Sequence, residues 1–460
     1  MKTLEIPYEL TVGIADGGGR GHAYANACRR SRLAKKILGF KGGDGWSEGP
    51  EDKIVQCFSN IDAADVDKII VESLNQRVQL LIAGQEIFLA NGGADKARDA
   101  GMKVLGCSRA AARLESSKVW AKWFFAKYGI PTANFETANS PEEATAIVDY
   151  WFLIKKVAAL VVKADGLAEG KGVISCFSLA EARAAIRETM VDGTVKKTYP
   201  EAGKKVVIEE WIGGPGTREM SSTYFSDGDD LVEMIVGVDH KRRFAEDGKV
   251  DEKDNRNTGG MGLYAPDPEY TDDIRRQVRR IAKKIIAGMQ KEACPFQGIL
   301  YLGLMIRNGK VYVLEVNVRF GAPEAQGILA LLESDFLELA WAAATGQLAL
   351  VKPKWKKGKV SVTVTLVTGV YPSPITAEYK GFEITGIEEA RALGVEILHA
   401  GTKLKDGKFV NNGGRVIDIV AVADTFREAI DLANKAAELI YWQDRDYRKD
   451  IGRRALAFAA

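Results

Sequence analysis

The chain has 460 residues, with 64 lysines and arginines against 62 aspartates and glutamates, a formal net charge of +2, and 46% hydrophobic and 27% charged residues. That composition is ordinary for a globular protein of about three domains at roughly 150 residues each, and it gives no electrostatic reason for a nucleic-acid or anionic-membrane partner. No segment reaches the ~20 apolar residues of a membrane span, the N-terminus lacks a signal-peptide run, and five dispersed cysteines have no metal-ligand spacing, so a cytoplasmic protein with free thiols is expected.

In chain order, Glu9–Ala15 reads as a strand, followed by the glycine run Gly17–Gly19 and a helix over Ala23–Leu38. Val78–Gly84 and Met102–Cys107 read as further strands, so residues 1–107 form an open, mostly parallel sheet. Ser117–Gly129 reads as a helix with a glycine at its left-handed end. Ser140-Pro141-Glu142-Glu143 and Ser178 with Glu181 are helix-start signals on either side of the strand–loop–strand Leu160–Cys176. These pieces make a small α+β lid over about 130–205. The polar stretch 237–262 reads as a loop of a length that is either functional or disordered. Phe296–Gly321 is a hairpin turning at Asn308-Gly309, and Pro323–Thr345 is helical. Lys352–Lys359 reads as a surface linker. The final unit carries the strand Val360–Val367, a hairpin over His399–Val422 and a capped helix from Thr425. The fold class is therefore α/β and α+β multidomain. It has an N-terminal open parallel sheet (1–107), a central unit with a lid (108–345) and a C-terminal mixed α/β domain (346–460).

The stretch "VVKADGLAEGKGVI" (Val161–Ile174) places Gly166, Gly170, Lys171 and Gly172 between two apolar strands. It is one residue short of a P-loop and has glycine where the metal-binding hydroxyl would stand. Two readings remain: a glycine-rich hairpin folding over a triphosphate with Lys163 aimed at a phosphate, or a plain flexible hairpin. "VVIEEWI" (Val206–Ile212) ends in Glu209 and Glu210, a carboxylate pair that suits either an adenine-binding hinge at Trp211 and Ile212 or an exposed strand end. In "VYVLEVNVRFG" (Val311–Gly321) the period of two puts Glu315, Asn317 and Arg319 on one face and Leu314, Val316 and Val318 on the other. Oxygen donors there suit Mg²⁺ (or Mn²⁺) bound with substrate phosphates, and Arg319 suits a transferring phosphoryl group; the alternative is a strand with a solvent face. Thr258, Gly259 and Gly260 form an anion loop or a simple turn. The run Gly17, Gly18, Gly19, Arg20 at a strand–helix junction favours a phosphate, but His22 stands where a dinucleotide fingerprint needs glycine, which excludes a nicotinamide fold. The three histidines form no nucleophilic set.

Taken together, these motifs resemble the ATP-grasp ligases, and more narrowly the phosphoribosylamine–glycine ligase (glycinamide ribonucleotide synthetase) family. The resemblance is ordered along the chain through "GGRGHA", "AARLESSKVWAKWFFAKYGIPTA", "VVKADGLAEGKGVI", "DHKR", "NTGGMGLYAP", "LEVNVRFGAPEAQ", "HAGT", "GGRV" and "YRKDIGRRAL". It implies that ATP phosphorylates glycine and that the amine of 5-phosphoribosylamine displaces phosphate, a step of purine synthesis needing no protein nucleophile. It further implies that Lys118 and Lys163 contact ATP phosphates, with Gly166–Gly172 closing over them. Glu209–Ile212 would hold adenine and Glu219 the ribose. Glu315 and Asn317 would hold the metal, and Arg319 would stabilise the acyl phosphate. Gly17–Arg20 and Thr258–Gly260 would meet the substrate phosphate and its neighbours. A monomer with small-molecule substrates is expected. The chain departs from the family pattern at Gly21 (Glu in "GGREHA"), Ala322 (Asp in "RFGDPE"), Gln85 (Pro in "GPE") and Gly42–Gly49 (for "GNxGT"). Those departures keep open a related ligase with another acid or amine, and a non-catalytic nucleotide-binding regulator.

Overall fold

The structure, a computed structural model, describes residues 4–48, 53–167, 172–245, 249–250 and 255–458. Strands β1 (Leu10–Ala15), β2 (Ala34–Phe40), β3 (Ile54–Phe58), β4 (Leu80–Ala83) and β5 (Lys103–Leu105) form one parallel sheet in the order β3-β2-β1-β4-β5. The chain runs outward from β1 to β3 and then crosses to β4 on the other side. The crevice at the carboxyl ends of β1 and β4 is thus the switch point where such sheets bind ligands. Asp16–Arg20 and Gly84–Glu86 open onto it. The helix expected over 23–38 is in fact Gly19–Arg30, and Ala34–Phe40 is β2. Ile37, Leu38 and Phe40 are fully buried in the sheet, and that burial overrides the helical preference of the flanking lysines.

Two of the sequence departures are one packing unit. A Cβ on Gly21 would lie 2.4 Å from Cη2 of Trp46, whose indole is fully buried and stacks on His22 with ring centroids 5.8 Å apart. Gly39 and Gly42 make room for the same indole. A larger residue at 21 is excluded by the tryptophan that the Gly42–Glu48 segment brings in.

The lid is an antiparallel sheet in the order β6-β9-β7-β8, formed by Phe135–Ala138, Val206–Glu210, Leu160–Ala164 and Val173–Cys176. Ser140 and Ser178 cap its helices, Pro141–Leu153 and Leu179–Ile186, by accepting from the Glu143 and Glu181 amides. The central sheet is β11-β10-β14-β15, built from β10 (Thr217–Asp227), β11 (Leu231–Glu233), β14 (Gln297–Arg307) and β15 (Lys310–Asn317). The helix Asp272–Lys291 buries Ile274, Val278, Ile281, Ile285 and Met289 in the core shared with this sheet. The β14–β15 turn has φ of 51° at Asn308 and 73° at Gly309, the left-handed pair that a tight hairpin requires.

The third large sheet is β12-β13-β16-β20-β17, with β12 (Val238–Asp239), β13 (Gly262–Ala265), β16 (Val360–Thr368), β17 (Glu396–His399) and β20 (Arg415–Ala423). The hairpin β18 (Thr402–Lys405) and β19 (Lys408–Asn411) and the short β21 (Arg445–Asp446) flank it. The segment expected to be a loop therefore contributes β12 and ends on the first residue of β13, which joins the C-terminal sheet. The helical stretch after Pro323 is two helices, Glu324–Leu331 and Phe336–Thr345, because Asp335 caps the second by accepting from the Leu337 amide. The helix Phe426–Leu439 carries the expected capping box between Thr425 and Glu428. Among the described residues no helix is long and apolar enough to cross a membrane.

Two tests follow from this packing. Gly21→Ala should lower stability by about 1–3 kcal/mol through overpacking against Trp46, read as a lower urea midpoint with an unchanged m-value. His22 is held well below its ordinary value by burial and then by His399, and His240 is pushed down to about 4 by burial and then Arg448. Both stay neutral in the folded chain while the unfolded chain takes up protons below pH ~6.5. The histidines' contribution to stability is therefore complete above that pH and falls as pH drops toward 4, by up to about 1.4 kcal/mol per pH unit for each residue, measurable as the difference in stability between the wild-type chain and His22→Asn and His240→Asn variants from pH 7 to pH 5.

Candidate active site

The face of the central sheet beneath the lid is organised by an irregularity in β15. Leu304 pairs with Val313 and Gly303 with Glu315, so Leu314 is an extra residue in the strand. Before it, Val311 and Val313 enter the core and Tyr312 faces the lid side; after it, Val316 and Val318 enter the core. Leu314, expected on the face opposite Glu315, instead joins Tyr312 in a small apolar cluster with Ala133, Ile212 and Met305. The bulge lets one strand present an apolar floor and then, on the same side, the polar series Glu315, Asn317 and Arg319.

Lys163, on β7, reaches over this floor. Its Nζ donates to the Leu314 carbonyl at 3.2 Å and forms an ion pair with Glu209. Lys118, at the start of the helix Lys118–Lys127, donates to the Gly166 carbonyl at 3.0 Å. Gly166 has φ of +139°, which suits glycine, and Ser117 and the Val119 amide both donate to Asp165 at 3.0 Å, fixing the root of the lid loop. Gly170 and Lys171 lie outside the described residues; the Gly172 carbonyl accepts from the Ala164 amide across the β7–β8 pair. The structure places the Glu209 carboxylate not at the open end of β9 but enclosed between Lys122 and Lys163. Glu210 accepts from Asn134 at 2.9 Å, the Trp211 amide donates to Ala159 at 3.3 Å, and Ile212 is buried in the apolar cluster. Glu219 is exposed on β10, within range of the charges of Lys241 and Asp239.

Glu315 is paired with Lys241 at 2.9 Å, and that cation, against the opposing effect of burial, holds its carboxyl down at about 2. Asn317 accepts weakly from Arg319 at 3.5 Å. Arg319 lies between Glu115 at 3.0 Å and Glu86 at 3.3 Å. Burial alone would weaken its charge, but the two carboxylates raise its pKa above the usual guanidinium value. Burial also pushes the Glu115 carboxyl up to about 7 despite Arg319, and its Oε2 accepts the Val318 amide at 2.8 Å. A second polar group adjoins them. Asp239 is driven well above its ordinary value by burial and by Glu324, and its Oδ1 has no hydrogen-bond partner among the described residues. Arg415 reaches in from β20 to the carbonyls of Gly259 at 2.5 Å and Ala322 at 2.7 Å.

The two glycine stretches are more self-contained than expected. The Gly259 amide donates to the Tyr371 hydroxyl at 2.7 Å and the Gly260 amide to Thr258 Oγ1 at 3.0 Å, so these N–H groups do not converge on an open space. At the switch-point crevice, Gly18 donates to Asp16 at 3.2 Å, and Arg20 turns inward to Asp16 at 2.5 Å and to the Phe320 carbonyl at 2.9 Å. Gly17 packs against Lys41, and Gly19 opens the first helix beside Asp418. Sequence reasoning passed over Lys122, Lys241, Asp239, Glu324 and Arg415. Lys122 carried a signal, standing four residues after Lys118 on one helix face; Arg415 stands in the "GGRV" motif, but only the sheet brings β20 here. All five cysteines are free.

A lid sheet, a central antiparallel sheet with a carboxylate–amide–guanidinium strand, and lysines from both sides define the ATP-grasp class of enzymes. Solved structures at low identity share the fold, including a biotin carboxylase from Campylobacter jejuni (12% identity, TM-score 0.67, covering 97% of this chain and 95% of that one). The phosphoribosylglycinamide synthetase N, ATP-grasp (A) and C domain families match residues 10–115, 116–325 and 361–454. Phosphoribosylamine–glycine ligase of Pasteurella multocida is 40% identical over 451 residues, covering 97% of this chain and 99% of that protein. The Thermotoga maritima enzyme of that name superposes with TM-score 0.74 at 31% identity, over 96% of this chain and 100% of that one. The human trifunctional purine biosynthetic protein adenosine-3 is 38% identical over 448 residues, and the chain spans 42% of its length. The chain belongs to the phosphoribosylglycinamide synthetase, or phosphoribosylamine–glycine ligase, family.

Arg319→Lys keeps a charge between Glu86 and Glu115 but loses the planar fork. Turnover should fall about 10²-fold with little change in thermal stability, as steady-state kinetics and a melting curve would show.

Proposed function

We propose that this chain joins glycine to 5-phosphoribosylamine with cleavage of ATP to ADP and phosphate, a step of purine synthesis. The observation that carries the reading is the lid-facing side of β15, where an apolar floor adjoins Glu315, Asn317 and Arg319 under Lys163. Adenine packs on Ala133, Ile212, Tyr312 and Leu314 near Glu210 and Trp211, with Glu219 toward the ribose. Lys118 and Lys163 meet the phosphates, with Gly166 and Gly172 beside them. A glycine carboxylate oxygen attacks the γ-phosphorus and ADP leaves. The amine nitrogen of phosphoribosylamine then attacks the carbonyl carbon, phosphate leaves, and the amine loses a proton. Positioning and charge stabilisation suffice for both steps, so no protein nucleophile is required. Arg319, kept charged by Glu86 and Glu115, stabilises the transferring phosphoryl group and the acyl phosphate. Gly17–Arg20 and Thr258–Gly260 border the space for the phosphoribosyl group.

The donor set fits a magnesium or manganese ion. Glu315 is held ionised, Asn317 adds an amide oxygen, and among the described residues no group of three acidic, histidine or cysteine side chains assembles a cage. Such a cation takes one or two protein oxygens and completes its shell with phosphates and water. When bound, it neutralises phosphate charge. Lys241 pairs with Glu315 through Oε1, which leaves Oε2 for the ion.

Ala322, whose family counterpart is an aspartate, supports a second reading in which the acid or amine differs. ADP release measured across amino acids, with phosphoribosylamine generated in the assay, separates the two. Turnover that requires glycine and phosphoribosylamine is expected; ADP release indifferent to glycine would sink the first reading. Glu315→Ala should abolish metal-dependent ADP release, and full activity in that variant would remove Glu315 from the metal site.

A further inference from the structure

The buried charges under the lid do not balance. Lys122 and Lys163 contact the two oxygens of the single carboxylate of Glu209. Lys122 is 3% exposed, Glu209 2% and Lys163 8%. Two ammonium groups on one carboxylate leave one positive charge in excess, in a place where an unneutralised charge is costly. Burial opposes the charge on Glu209, yet Lys163 and then Lys122 keep its carboxyl below the ordinary range. Lys122 is pushed down to about 8, by burial first, with Lys163 adding to the effect and Glu209 resisting it.

The two lysines are not equivalent. Lys122 is tied into the scaffold: its Nζ donates to Thr132 Oγ1 at 2.5 Å, and that hydroxyl donates to the Val313 carbonyl at 2.8 Å. Lys163 has one weaker tie, to the Leu314 carbonyl at 3.2 Å, and lies close enough to Glu315 and Lys118 to influence both. Lys122 faces the scaffold and Lys163 faces the site. If Lys122 were absent, Glu209 and Lys163 would form a neutral pair and the lysine would be spent on its own carboxylate.

We propose that Lys122 is a positioning residue for nucleotide binding: by occupying one oxygen of Glu209 from the scaffold side, it leaves the Lys163 ammonium with positive charge to offer to the nucleotide phosphates. This rests on the ATP site proposed above. The buried excess charge is then the feature that attracts a polyphosphate, and the fixed Lys122 is what maintains it.

The test is a binding titration of Mg-ATP and Mg-ADP by calorimetry, alongside steady-state kinetics. Lys122→Met should weaken nucleotide binding by about tenfold to a hundredfold, the factor for losing one charge-assisted interaction, and raise KM for ATP with little change in kcat. Lys122→Met combined with Glu209→Gln frees Lys163 from its carboxylate and should bring affinity back toward the wild-type value. A merely structural lysine predicts no such recovery, because the second substitution removes more of the buried network. If Lys122→Met does not fold, Lys122→Gln, which keeps a donor for Thr132 without the charge, carries the same expectation. Nucleotide affinity within twofold of wild type in the single variant, or a double variant no tighter than the single, overturns the proposal. A wild-type chain that binds no Mg-ATP would instead overturn the reading of the site itself.

Discussion

One additional residue in β15 decides which groups the central sheet offers to the space beneath the lid. A strand of strict period two would alternate throughout, and an apolar floor at Tyr312 and Leu314 would force Glu315 into the core. The bulge at Leu314 breaks the alternation once, between the last floor residue and the first polar one. Everything downstream then falls in place: Glu315 and Asn317 on the site side, Val316 and Val318 inside, and Arg319 between the carboxylates of Glu86 and Glu115. The same offset turns the Leu314 carbonyl to Lys163, which ties the lid strand β7 to the central sheet at the site itself.

Around that strand, charge is organised in buried sets whose members come from distant parts of the chain. Arg319 is held by Glu86 from the end of the first sheet and Glu115 from the segment leading to the lid. Glu315 is held by Lys241, and Glu209 by Lys122 and Lys163. Removing Glu209 would leave two buried ammonium groups without a partner, which is more damaging than never having built the set. The side chains beneath the lid are therefore held in place by one another, the preorganisation that the proposed phosphoryl transfer requires.

Much of this was legible in the sequence wherever a local pattern had a physical meaning. The Ser140, Ser178 and Thr425 caps and the Asn308-Gly309 turn appear as read, because caps and tight turns are decided by a few adjacent residues. The polar series Glu315, Asn317 and Arg319 was likewise visible. The reading failed where tertiary burial overrode local preference, as in β2, whose lysines suggested helix while Ile37, Leu38 and Phe40 went into a sheet. It also failed at Leu314, since nothing in an apolar residue announces a bulge. The partners Lys241, Asp239 and Arg415 were invisible as a group because they converge only through strand pairing across more than a hundred residues. Glu209 stands at the strand end that the sequence indicates, and the two lysines that enclose it come from separate elements that no local pattern joins.

The lysine-rich stretch at 352–359 has the composition of a domain linker, yet the sheet beside it ignores that boundary. β12 and β13 come from before it and β16, β17 and β20 from after it, with β13 and β16 hydrogen-bonded side by side. Severing the chain at that stretch would give two fragments, and neither would contain a whole sheet at the break. The N-terminal piece would carry an orphaned two-strand ribbon next to Asp239 and Lys241. The C-terminal piece would expose the edge of β16, whose buried Val362 and Val364 invite association with other chains. A recombined or transplanted version of the central unit must therefore include both sides of the linker, because the strands beside the candidate site are woven from them.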